Sequence, residues 1–277
     1  MKIEERKLKI SDHEFTVKGY WLDQISDFGK PVDYPVVIIC PGGGFTFHSG
    51  REEEPLALRY NSFGMHAVVL EYKLIGDTPV YPMALQEMAK TIDWINQQPD
   101  SMHIDKDKII LAGFSAGAHI VAAYNGIGPN PTLRKKYQIE RYQGQHAAVI
   151  LGYPVIDMTM KGSFPDDDKV LHEISTDESL WKSQELLNKD SKPAFVWQTR
   201  TDDLVNVMNS LAYVEKMVQL GLPAEFHMFG SGIHGLGLAT YVTKKPGKDK
   251  YLNKRASGWM DLSLTWLEMM NLLGSAY

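Results

Sequence analysis

Gly113-Phe114-Ser115-Ala116-Gly117 follows directly on the strand-like run Lys108-Ile109-Ile110-Leu111-Ala112 and opens a helix-compatible stretch over 116–123. A G-x-S-x-G pattern between strand and helix fits a turn that drives its serine into strained backbone. Such a turn leaves room for little more than hydrogen two residues to either side. It lifts the hydroxyl off the sheet edge, in front of the free N–H groups that open the helix. With glycine at its average usage of about 7%, chance supplies the pentapeptide in roughly one chain in ten of this length, so its surroundings decide its meaning.

Those surroundings alternate buried strands with amphipathic helices. Glu4 to Ile10 and Glu14 to Leu22 alternate apolar and polar residues around Ser11-Asp12-His13, as an antiparallel hairpin at a sheet edge does. Pro35 to Cys40 and His66 to Tyr72 are continuous apolar runs typical of strands buried on both faces. Further strands are expected at 108–112, Ala147 to Tyr153, Ala194 to Gln198 and Ala224 to Phe229. Leu85, Met88, Ala89, Ile92 and Ile95 fall at helical spacing, as do Val207, Leu211, Val214 and Val218, and Trp259, Leu262, Trp266 and Met269 mark a closing helix. This rhythm predicts about eight mostly parallel strands with helices on both faces. Residues 157–192, polar and Asp-rich, break it and read as a cap or excursion within a single domain spanning 1–277.

The 277 residues carry a net charge of −5 and no strong Lys/Arg cluster, which argues against nucleic acid or an anionic membrane as partner. Lys244-Lys245-Pro246-Gly247-Lys248 is the densest basic stretch and, broken by Pro and Gly, reads as a solvated loop. The first residues lack an apolar signal core, no run approaches membrane-spanning length, and a single cysteine, Cys40, fits a reducing compartment. A cytoplasmic location is therefore expected.

A serine hydroxyl is a poor nucleophile at neutral pH and needs a base, an orienter for that base and an oxyanion hole. Past the last strands lie Asp202 and His234, the latter within Gly-Ser-Gly-Ile-His-Gly-Leu-Gly, and open α/β sheets place their active sites at the carboxyl ends of strands. Asp203 fits the acid's place if the loop slips by one residue. Pro41-Gly42-Gly43-Gly44-Phe45 leaves a buried strand in the position of an oxyanion loop. The N–H groups of Gly43, Gly44 and Ala116 are the expected oxyanion donors.

Together these residues resemble the small bacterial carboxylesterases of the α/β-hydrolase superfamily, near its acetyl-xylan-esterase-like and hormone-sensitive-lipase-like groups. The likeness rests on Pro-Gly-Gly-Gly-Phe (41–45), Arg51-Glu52, Tyr81-Pro82, Ile104-Asp105, Gly-Phe-Ser-Ala-Gly-Ala-His (113–119), Gly-Tyr-Pro-Val-Ile (152–156), Asp-Asp-Leu-Val (202–205) and Gly-Ile-His-Gly-Leu-Gly (232–237). Departures are Pro41 for the usual His of the Gly loop, Ala118 for a frequent Gly, and Asn206 where the acid loop usually carries Pro. The resemblance implies the α/β-hydrolase fold and a serine esterase for small-molecule esters of short acyl groups, acetyl foremost, with no metal or organic cofactor. Rivals on the same scaffold are a peptidase or amidase and a thioesterase, and from another class a catalytically silent binding protein. A homo-oligomer is compatible with the sequence.

Phe45, Tyr153, Ile156 and Trp181 stand as candidates for the substrate pocket or as ordinary core. Glu52, Glu53 and Glu54 read as a charged helix start, with Arg51 either bracing the oxyanion loop or solvated. His48 is expected at the surface, His119 beneath the elbow, and Cys40 as a small hydrophobe. No histidine cluster has metal-ligand spacing.

Overall fold

The continuous apolar runs become strands because each is covered on both faces. In the computed structural model, which describes residues 1–273, the strands are β1 (Lys2–Ile10), β2 (His13–Trp21), β3 (Tyr34–Cys40), β4 (His66–Glu71), β5 (Ile104–Phe114), β6 (Ala148–Gly152), β7 (Ala194–Thr199) and β8 (Ala224–Phe229). They form one sheet in the order β1-β2-β4-β3-β5-β6-β7-β8. The β1–β2 hairpin is antiparallel and sits at one edge, β2 meets β4 antiparallel, and β4 through β8 run parallel with β3.

The helices are α1 (Glu54–Asn61), α2 (Met83–Asn96), α3 (Ala116–Ile127), α4 (Pro131–Lys136), α5 (Asp168–Ile174), α6 (Met208–Gln219) and α7 (Trp259–Met269). Side chains of β3 alternate between two cores. Val36, Ile38 and Cys40 pack with the apolar residues of α2 and α3, and Val37 and Ile39 with those of α1 and α7. The α/β-hydrolase architecture expected from the sequence is the one observed.

Three local differences have physical reasons. β5 begins at Ile104 rather than near 108, since its polar start can lie extended at the sheet end, and its pairing with β3 shifts register between Tyr34 and Val36. α4 buries no residue and is held by its cap, where the Asn130 side chain accepts from Leu133 N–H at 3.0 Å. The excursion 157–192 contains α5, capped by Asp167, as well as short 3₁₀ turns at Glu178–Leu180 and Ser183–Leu186. No helix among the described residues is long and apolar enough to cross a membrane.

Candidate active site

Four loops at the carboxyl ends of strands converge. Ser115 follows β5 with φ 53° and ψ −119°, a conformation ordinarily costly for a side-chain-bearing residue. The flanking glycines make that turn sterically feasible. A Cβ on Gly113 would stand 2.5 Å from Cα of Ala118, and one on Gly117 would overlap the carbonyl oxygens of Cys40 and Pro41. α3 therefore starts against the end of β3, and the nucleophile candidate lies beside the glycine loop.

Nδ1 of His234 lies 2.8 and 3.0 Å from the two carboxylate oxygens of Asp202. A carboxylate only accepts, so Nδ1 carries the proton and Nε2 is free to accept from the Ser115 hydroxyl at 2.7 Å. Asp202 is itself fixed by the N–H groups of Leu204 and Val205 and by the Gln198 amide. Its side chain is 1% exposed, against 11% for His234. Asp203, the other candidate for the acid, is exposed and accepts from the His234 backbone N–H at 2.9 Å. The neighbouring carboxylates thus divide the work between imidazole and backbone.

The glycine loop turns through φ 132° at Gly43 and 61° at Gly44. Both residues line the cleft with Ser115. The N–H groups of Gly43, Gly44 and Ala116 meet no acceptor among the described residues, which leaves them available to an oxyanion. The loop is braced from behind. Tyr72 donates to the Pro41 carbonyl at 2.7 Å, and Gly42 N–H donates to Oε2 of Glu52 at 2.7 Å.

Glu52, read from the sequence only as part of a charged helix start, is a buried carboxylate, 2% exposed. Its Oε1 accepts from the Tyr153 hydroxyl at 2.6 Å, and that hydroxyl accepts from Gly237 N–H at 3.0 Å. The Tyr153 ring stands edge-on to His234 at 5.1 Å. Glu52 and Tyr153 thereby tie the glycine loop to the histidine loop. Burial and the Glu52 charge push the Tyr153 phenol well above its ordinary pKa, so it stays a hydroxyl.

None of the four candidate pocket residues lines the cleft. Phe45 and Ile156 are fully buried in the core, and Tyr153 is occupied as described. Trp181 lies in the excursion and donates to the Ser175 carbonyl. The cleft, about 630 Å³, is instead walled by Phe47, Phe164, Val170, Leu204, Ile233 and Tyr251 among others, with Arg51, Lys245 and Lys250. Lys245 lies in an exposed loop, as expected, at the mouth of the cleft. Nothing in a local sequence window distinguished these positions, because they meet only through loops far apart in the chain. His48, expected at the surface, is half-buried, donates to the Tyr72 carbonyl at 2.9 Å and has its pKa lowered by burial. His119 does lie beneath the elbow, bonded to the Tyr81 hydroxyl at 2.7 Å. Cys40 is wholly buried. No group of three or more metal-ligating side chains occurs among the described residues.

The BD-FAE family model matches residues 23–217. The solved carboxylesterase Cest-2923 from Lactobacillus plantarum WCFS1 is 56% identical, with a TM-score of 0.96 and 99% of each chain covered. An acetyl ester-xyloside bifunctional hydrolase from Caldicellulosiruptor lactoaceticus is 27% identical with a TM-score of 0.73, over 95% of this chain and 91% of its own. Endo-1,4-beta-xylanase B of Butyrivibrio fibrisolvens is 28% identical over 210 residues, 73% of this chain, and the match spans only 32% of that protein.

Proposed function

The chain belongs to the BD-FAE family and is a carboxylic ester hydrolase of the α/β-hydrolase fold, and from that premise we propose that it cleaves short-acyl, acetyl-type esters through an acyl-enzyme on Ser115. The observation that carries this reading is the unbroken relay from the Ser115 hydroxyl through His234 to Asp202. The hydroxyl oxygen attacks the ester carbonyl carbon while Nε2 of His234 takes its proton, and Asp202 stabilises the resulting imidazolium. The oxyanion is received by the N–H groups of Gly43, Gly44 and Ala116, each worth about 3–4 kcal/mol to a transition state of this kind. The carbon–oxygen bond to the alcohol then breaks as Nε2 returns the proton to that oxygen. Water repeats the sequence on the acyl-enzyme, releasing the acid and restoring the serine.

Short acyl groups are favoured by the excursion 157–192, which acts as a small cap within the one domain. It delivers Phe164 to within 3.5 Å of where a Cβ on Gly44 would stand, narrowing the space beside the oxyanion loop. The acetyl ester-xyloside hydrolase among the structural neighbours points the same way. The single buried thiol, Cys40, supports a cytoplasmic setting.

Hydrolysis of p-nitrophenyl esters from acetate to octanoate tests the reading, with Ser115→Ala, Asp202→Asn and Asp203→Asn in parallel. kcat/KM should peak at acetate. Ser115→Ala and Asp202→Asn should each lose on the order of 10⁴-fold in kcat or more, and Asp203→Asn less than about tenfold. Retained activity in Ser115→Ala removes the acyl-enzyme. A peak at octanoate removes the short-acyl preference, and a larger loss in Asp203→Asn reverses the assignment of the acid.

A further inference from the structure

The wall of the cleft above Ser115 carries three cations, Arg51, Lys245 and Lys250. None of them forms an ion pair among the described residues, whereas the adjacent Lys244 is paired with Asp249. The same cleft carries two carboxylates, Glu52 and Asp203, each accepting from neutral donors. Both oxygens of Glu52 are bonded, to Gly42 N–H and the Tyr153 hydroxyl, and Asp203 holds the His234 backbone. Arg51 is held in place, donating to the Thr243 carbonyl at 3.0 Å with its guanidinium 4.7 Å from the centre of the Tyr251 ring. The Lys245 ammonium lies 5.2 Å from the centre of that same ring, and Lys250 is the next residue back in the chain. Three cations thus outnumber the two carboxylates at the mouth of the nucleophile's cleft, in a chain whose net charge is −5. Cations crowded this way repel one another and attract an anion, and an otherwise acidic surface makes that attraction local.

The cationic wall stands on one side of the site. Nη2 of Arg51 is 3.4 Å from where a Cβ on Gly235 would lie, next to His234. His234 returns the proton to the departing alcohol, so this wall faces the alcohol portion. Phe164, Val170 and Leu204 provide an apolar wall suited to the acyl chain. We propose that the site selects esters whose alcohol portion bears a carboxylate, that is, acylated hydroxy acids, with Arg51, Lys245 and Lys250 receiving that carboxylate. The proposal rests on the serine-esterase reading above.

The test compares 4-acetoxybenzoate with its methyl ester, which share an aryl acetate bond and differ in charge. The readout is the ratio of kcat/KM for the anionic ester to that for the neutral ester, taken within each protein so that changes common to both cancel. In the Lys245→Gln/Lys250→Gln double variant the ratio should fall roughly three- to tenfold, mainly through KM, since partly exposed ion pairs are modest. In the wild type it should also fall as salt rises from about 0.01 to 1 M, where the screening length shrinks from about 30 to 3 Å. A ratio unmoved by both the double variant and salt, or no turnover of the anionic ester, overturns the proposal while turnover of p-nitrophenyl acetate keeps the esterase. If the wild type cleaves none of these esters, the esterase reading itself fails and this one falls with it.

Discussion

Among single residues, Glu52 carries the least obvious consequence. A carboxylate taken out of water costs several kcal/mol unless its oxygens are bonded. Here one oxygen takes Gly42 N–H, from the glycine loop, and the other takes the hydroxyl of Tyr153, which in turn holds Gly237 of the histidine loop. Glu52→Gln replaces one acceptor by an amide donor facing another donor. Tyr153→Phe removes the hydroxyl but keeps the ring against His234. Both variants should lower kcat by roughly 10- to 100-fold, since small misplacements of catalytic groups cost that much, with KM little changed. Steady-state kinetics on p-nitrophenyl acetate reads the split. An unchanged kcat in both variants would reduce the brace to a packing feature. The sequence could not reveal this carboxylate's role, because Glu52-Glu53-Glu54 looks like a charged helix start until the loop folds back on Gly42. Ser115, His234 and Asp202 were legible because each sits in a glycine-bracketed or strand-terminal motif whose spacing is local.

Among the elements, the junction of β5 with α3 governs the site, and its tolerance is small. All of α3 is buried, and Gly117 in its first turn lies against the last carbonyl of β3. Gly117→Ala would drive a methyl group into backbone that cannot rotate away as a side-chain tip can. A loss of about 3 kcal/mol is expected, at the upper end for overpacking. A melting temperature within about 1 °C of the wild type would show that the junction gives way, because a loss of this size moves Tm by several degrees. The same closeness explains why the strands were legible. Val36 through Cys40 are apolar at every position because helices cover both faces, a signature independent of distant contacts. α4 and α5 were not legible, since neither carries an apolar stripe. α4 buries nothing and α5 only Leu171 and Ile174, so caps rather than periodicity make them helices.

At the scale of the whole molecule, buried histidines set how the fold responds to acid. His119 and His146 are both wholly buried, and burial lowers their pKa values from the ordinary 6.5 to about 4 and about 3, with Lys192 adding to the shift of His146. Once unfolded they would bind protons from about pH 6.5 downward while the native protein refuses them. Their contribution is therefore complete above 6.5 and is lost as pH falls toward 4 and 3. Glu87 works the other way. Burial raises its pKa from 4.5 to about 7, against the opposing hydrogen bond from His13 at 2.7 Å. Its contribution is complete below 4.5 and is lost as pH rises through 7. Between pH 6.5 and 4.5 His119 and His146 act against Glu87 over similar spans. His48 and His66, also lowered by burial, add to the histidine side, and Glu53, raised by burial, adds to the other. The balance is a loss of about 2–3 kcal/mol on acidification, since each pKa unit is worth about 1.4 kcal/mol. Scanning calorimetry should then find Tm on the order of 5 °C lower at pH 4.5 than at 6.5. Glu87→Gln, which removes the opposing group, should steepen that fall. A Tm that holds or rises on acidification would mean that these imidazoles accept protons without leaving the core. Because a melt reports on the fold and not on the triad, the result stands apart from any pH dependence of turnover.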